Sequence, residues 1–164
     1  MSTYLGPTLW IAAGVVSLLL VIFLLQRLVR ARLERRVFER FSDEQIIHKD
    51  LWANYFGRSQ EGLSQIRGNG VLVLTDSALW FMLAIPRREI EIPLDTMTRV
   101  TTARSHLKKA RLRPLLLVEF DTPQGPDSIA WALHEPEAWV ETIETARMKA
   151  CARAESAGKG RSTL

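Results

Sequence analysis

Cysteine is nearly missing from this chain. One thiol, Cys151, stands among 164 residues, so no disulfide can close within it. Histidine is scarce as well: His48, His106 and His134 lie far apart, and none has a partner at the i+4 spacing that sets two ligands on one helical face. No metal site is expected. A nucleophile elbow needs Gly-x-Ser-x-Gly, and Gly62-Leu63-Ser64-Gln65-Ile66 lacks the final glycine. Asp76, Asp95, Asp121 and Asp127 fall at turn positions, where carboxylates bond local backbone, and nothing in the sequence pairs them. Cys151, among alanines and arginines, reads as a weakly structural thiol. These absences exclude the familiar routes to catalysis, so no catalytic residue, no cofactor and no enzyme activity are expected.

The stretch IRGNGVLVLTDSALWFM, residues 66–82, raises the question of a phosphate loop. A dinucleotide fingerprint needs a third glycine three residues after the second, and the loop must open a helix. Val73 holds that position, and the glycines lead into the β-branched run Val71-Leu72-Val73-Leu74-Thr75. No Gly-Lys-Ser/Thr follows, so a Walker loop fails too. Asn69-Gly70 reads instead as a turn, since both residues tolerate positive φ.

Charge is absent from LWIAAGVVSLLLVIFLL, residues 9–25, where only Ser17 is polar. With Leu28 and Val29 the run approaches the roughly 20 residues that a bilayer helix requires. Backbone polar groups in hydrocarbon must pair internally, so the run has to be helical. Pro7 and Thr8 suit a helix start, and Tyr4 and Trp10 lie at one end, where amphipathic rings favour headgroups. A cleavable signal peptide would need a basic n-region, but residues 1–8 hold no Lys or Arg. A buried soluble helix is a poorer fit, because so long an apolar run exceeds one face.

The other flank is basic: Arg27, Arg30, Arg32, Arg35, Arg36 and Arg40 outnumber Glu34 and Glu39. The positive-inside rule then puts the N-terminus outside and residues 30–164 in the cytoplasm of a single-pass protein of the plasma or inner membrane. The expected division is a stub over 1–7, a transmembrane helix over 8–29, a basic juxtamembrane helix and linker over 30–45, a folded domain over 46–150 and a flexible tail over 151–164. Val29, Leu33, Val37 and Phe41 recur at four-residue spacing, a narrow apolar stripe for packing on the domain or on a second copy. Ser42-Asp43-Glu44-Gln45 resembles a capping box that breaks direction.

Beyond residue 46 the pattern alternates. Strands are expected at 46–57, 65–75, 78–84, 89–92, 96–104, 114–120 and 128–133, with breaks at Asp76-Ser77, at Pro86-Arg87-Arg88, in a basic loop SHLKKARLRP and at 122–126. Pro136, with Glu135, Glu137 and Glu141 nearby, signals a helix start, and Trp139, Ile143, Ala146 and Ala150 form its apolar stripe. Residues 156–163 read as a frayed tail. No helix separates the strands, so the sheet is antiparallel and curled, with the last helix plugging its open end.

The phrases GVLVLTDSALWF, EIEIPLDTMTRV, LLLVEF and AWALHEPEAWVETI resemble bacterial GRAM-like and pleckstrin-homology-like (PH-like) domains. The run Leu74, Thr75, Leu79 and Phe81, the Ile-Pro-Leu step and the Trp-bearing helix carry the resemblance, over about residues 46–150. It implies a mainly β fold: a bent seven-stranded antiparallel barrel capped by a C-terminal helix, here with one N-terminal transmembrane helix. It also implies a module that binds phosphoinositides, other lipids or proteins. Family lipid sites often use the loop near the first two strands, where this sequence offers only Arg58 and Arg67.

One further cationic patch combines Arg104, His106, Lys108, Lys109, Arg111 and Arg113. Such runs are commonly solvated loops; held near a membrane, this one and Arg27, Arg30, Arg32, Arg35 and Arg36 become candidate contacts for anionic lipid. Nucleic acid is not an expected partner, since no aromatics interleave the patch for stacking. The expected partners are the membrane, an unidentified protein and, through the helix stripe, a second copy of the chain. Trp10 is expected at the interface, and Trp52, Trp80, Trp131 and Trp139 in the core.

Overall fold

A computed structural model describes residues 5–61, 67–106 and 109–159, with side chains over 10–60, 67–104 and 114–153. Leu5–Arg40 is one continuous helix of 36 residues, α1, about 54 Å long at 1.5 Å per residue. Among the described residues, the stretch Trp10–Arg40 is long and apolar enough to cross a membrane, with a mean hydropathy of 2.3 over its apolar window and none of that window buried. Ser42 breaks the helix: its amide donates to Gln45 Oε1 at 3.0 Å, the return half of a capping box. A single turn, Asp43–Gln45, then redirects the chain.

Seven strands follow: β1 (Ile46–Arg58), β2 (Gly68–Thr75), β3 (Ala78–Leu83), β4 (Arg88–Pro93), β5 (Met97–His106), β6 (Lys109–Thr122) and β7 (Gly125–Ala132). Helix α2 (Pro136–Lys159) closes the order. The sheet is antiparallel throughout, in the order β4-β3-β2-β1-β7-β6-β5. Its concave face is filled by Leu72, Phe81, Ile92, Leu116, Ile129 and Trp131, and α2 seals it with Trp139, Ile143 and Ala146.

The convex face explains why alternation fades in β2 and β3, whose residues from Gly70 to Thr75 and from Ala78 to Leu83 are all buried. Strands covered on both faces lose their polar positions. Here the second cover is α1: Leu33 and Val37 pack with Val71, Val73, Trp80 and Met82, flanked by Val29 and Phe41. β4 lies beyond that cover and keeps strict alternation, with Ile90 and Ile92 inward and Glu89 and Glu91 outward.

Four sequence expectations need correcting. Asn69-Gly70 is not a turn. Gly70 lies inside β2, paired with Ala53 and Leu83, and the described glycines with positive φ are Gly57 and Gly125. Gly70 is needed for space: a Cβ there would stand 2.2 Å from the Met82 carbonyl oxygen and 2.7 Å from a Phe81 ring carbon. Nor do residues 105–106 and 109–113 belong to a loop, because β5 and β6 continue there and pair Ser105 with Ala110 and His106 with Lys109. Trp52 is not core. Its amide donates to Asp50 Oδ1 at 2.7 Å, within an irregular register between Asp50 and Ala53, and such bulges re-aim side chains. The indole is left 36% exposed. Finally, α2 continues to Lys159, because RMKACARAES (147–156) is dominated by good helix formers.

Candidate membrane-facing site

The last third of α1 carries both an apolar stripe and the arginines, and helical geometry separates them. Val29, Leu33 and Val37 face the sheet. Arg27 and Arg30 fall on one flank, in a hollow of about 450 Å³ shared with Phe23, Gln26 and Trp52. Arg32, Arg35 and Arg36 fall on the other flank, in a cleft of about 510 Å³ between α1 and the β3–β4 turn. That turn contributes Arg87 and Ile85 to the cleft, and Ile85 is 73% exposed.

Arg40 fastens the end of the helix. Its guanidinium reaches Glu89 at 3.0 Å and Glu91 at 2.6 Å and lies 5.4 Å from the Trp80 ring centroid. Phe41 meets Trp80 edge to face, with centroids 5.4 Å apart. On the opposite side, Lys49 Nζ sits 4.5 Å above the Phe38 ring. The outward glutamates of β4 thus serve as the anchor for Arg40.

Acids are few near the cleft. Glu39 accepts from Arg35 at 3.2 Å and Arg36 at 3.5 Å, and Glu89 accepts from Arg87 at 3.0 Å. Among the described residues, no carboxylate lies within ion-pair distance of Arg27, Arg30 or Arg32.

The structure does not gather every cation of the sequence reading. Arg104 is exposed on β5, which the strand order separates from β2 by β1, β7 and β6. Lys108 lies outside the described residues, as do the side chains of His106, Lys109, Arg111 and Arg113. The two cations near the first hairpin are already engaged. Arg67 stacks 4.1 Å from the Phe56 centroid, and Arg58 pairs with Asp127 and lies 5.6 Å from the Phe120 centroid.

Asp127 is the one buried acid among the described residues. Burial alone pushes its carboxyl up, but hydrogen bonds from Ser59, Arg58 and the amides of Gln60 and Ser128 outweigh that and hold it below the ordinary range. The Ser59 hydroxyl donates at 2.6 Å and the Gln60 amide at 3.1 Å. This network ties the end of β1 to β7, a structural duty that the sequence did not reveal. Asp76, also unpaired in the sequence reading, meets Arg153 of α2 at 2.7 Å on the surface. Among the residues searched, no three His, Cys, Asp or Glu side chains converge as a metal site.

Arg87, Ile85 and Trp52 were missed as site residues. The signal for the first two was an apolar residue beside Pro86-Arg87-Arg88 at a hairpin tip, which the sequence reading used only as a strand break.

No protein-family model matches the chain, and no curated protein matches it. Solved structures do. The C-terminal domain of an unknown protein from Leishmania infantum aligns with a TM-score of 0.49 and 11% identity, over 70% of this chain and 94% of that one. A chain of the 8S snRNP assembly intermediate aligns with a TM-score of 0.51 and 10% identity, over 65% and 85%. The Vps36 N-terminal PH domain aligns with a TM-score of 0.49 and 17% identity, over 67% and 83%. At these identities the likeness concerns the fold alone. The fold is mainly β and PH-like: seven antiparallel strands in one sheet, a C-terminal helix across its concave face, and an N-terminal apolar helix in front.

Proposed function

We propose that the chain is a single-pass, membrane-anchored PH-like interaction module, non-catalytic, that presents its domain to a protein partner or to the lipid surface on the cytoplasmic side. The observation that carries this reading is the continuity of α1. One unbroken helix emerges from a stretch with no buried residue and ends with Leu33 and Val37 sealed against β2 and β3. No flexible linker intervenes between the apolar span and the docked turns, so the domain is held at a fixed height from the membrane. Exposing so many large apolar side chains to water, from Trp10 through Leu25, is untenable for a soluble protein. The six arginines within 27–40 favour the side that retains positive charge.

Fractionation with alkaline carbonate tests the anchor. The full chain stays in the membrane pellet, and deletion of residues 5–28 releases it. Recovery of the full chain in the carbonate supernatant would contradict the reading. The rival reading, oligomerisation through the α1 stripe, has to reckon with Leu33 and Val37 being buried by the chain's own sheet.

A further inference from the structure

The cleft beside α1 is polarised along the helix axis. Its far end, toward the domain, carries Arg32, Arg35, Arg36 and Arg87, with Glu39 in the lining and Glu89 paired to Arg87. Its near end merges with a smaller hollow of about 250 Å³, because Val29, Ala84 and Ile85 line both. That hollow reaches Leu25, inside the apolar span. Leu25 and Arg36 are separated by about 16 Å along the axis at 1.5 Å per residue. Arg32 and Arg36 lie about 4.5 and 10.5 Å beyond Val29 on the same measure. A headgroup layer is about 5–8 Å thick on each side of the hydrocarbon, so Arg32 stands within that layer when Val29 marks the end of the span. Arg36 begins just beyond it, with helical side chains leaning back toward the N-terminus and hence toward the lipid.

We propose that this cleft between α1 and the β3–β4 turn holds one anionic phospholipid, its acyl end along Leu25, Val29 and Ile85 and its headgroup phosphate against Arg32, Arg36 and Arg87. The inference rests on the membrane-anchored reading above. The charge argument is direct. Guanidinium forks suit phosphate oxygens, and Arg32 has no carboxylate partner among the described residues. The shape argument is independent of it: apolar walls run continuously from the span into the basic pocket, which is the order of parts in a phospholipid. A soluble anion would use only the basic half. The first-hairpin cations Arg58 and Arg67 do not line this cleft.

The test is native mass spectrometry of the full chain in detergent, titrated with phosphatidylglycerol or phosphatidylcholine. The proposal expects one retained phosphatidylglycerol that phosphatidylcholine does not match. The triple variant Arg32→Gln/Arg36→Gln/Arg87→Gln should weaken that adduct by on the order of 5-fold per arginine removed. A control removing the same charge from exposed positions of β5 and α2, Arg99→Gln/Lys149→Gln/Arg153→Gln, should leave it within about twofold. Three outcomes would overturn the proposal: equal weakening by both triples, which means diffuse attraction only; equal retention of phosphatidylcholine; or displacement by millimolar glycerol 3-phosphate, which means a soluble-anion site. Matching thermal melts show that the variants are folded. Carbonate extraction of the same samples separates the two readings: a chain that stays embedded yet shows no selective adduct defeats the lipid site alone, whereas a chain that is extracted defeats both.

Discussion

The double substitution Leu33→Ala/Val37→Ala asks whether α1 and the sheet form one unit. Leu33 is 6% exposed and Val37 fully buried, and both lie against Val71, Val73, Trp80 and Met82. At about 0.8 kcal/mol per buried methylene, the leucine truncation removes about 2.4 kcal/mol and the valine truncation about 1.6 kcal/mol. Alanine is the best helix former, so the helix itself is not weakened and the loss falls on docking. A shift of about 4 kcal/mol moves the docked-to-undocked ratio by nearly three powers of ten. The ion pairs of Arg40 with Glu89 and Glu91 remain, but they are exposed, and such pairs contribute at most about 1 kcal/mol each. Tryptic cleavage after Arg40, in the full chain held in detergent, reads the result. In the parent protein the Phe41 amide is bonded to the Val37 carbonyl at 2.8 Å and Arg40 is clamped, so cleavage is slow. In the double variant it accelerates by at least tenfold, and amide exchange at Phe41 accelerates with it. Equal cleavage and exchange rates in the two proteins would refute the docking argument.

Two further substitutions probe the domain. Gly70→Ala sets a methyl 2.2 Å from the Met82 carbonyl oxygen, which the β2–β3 ladder cannot absorb without shifting, so thermal denaturation should show a loss of about 1–3 kcal/mol or more. Asp127→Asn keeps the shape but removes the charge that Arg58, Ser59 and two amides address; at neutral pH it should cost about 1.5–3 kcal/mol. Because the folded carboxyl of Asp127 is depressed, its contribution is present above the unfolded value of about 4 and is lost as pH falls through the folded value. Denaturant curves should therefore separate parent and variant at pH 7 and converge as pH falls through the depressed folded value; a gap independent of pH would assign the effect to something other than the carboxylate.

The sequence was most readable where one rule governed a segment. EIEI alternates because only one face of β4 is covered. Ser42 and Gln45 announced the end of α1, because a capping box is a purely local device. Two rules competed at Gly70. Asn-Gly is a turn signal by its tolerance of positive φ, but the position required room for a neighbouring carbonyl, and φ-based reasoning does not register crowding from a partner strand. Trp52 was misplaced because a bulge between Asp50 and Ala53 interrupts the period of two. In the basic hairpin, charge was mistaken for irregularity, although a two-stranded ribbon tolerates cations on its solvent faces. The cleft was half legible. Its helical arginines were plain, but Arg87 and Ile85 join them only through tertiary packing across about 50 residues, and no spacing rule reaches that far.

Cys151 is exposed and is the single cysteine of the chain, so it reports without engineering on which side of the membrane the domain lies. Intact cells expressing the full chain are treated with a membrane-impermeant maleimide-polyethylene glycol, with and without permeabilisation. The account predicts no labelling until the membrane is opened, followed by a complete shift in mass. Labelling of Cys151 in intact cells would place the PH-like domain outside and contradict the claim that the arginine collar of α1 keeps it within.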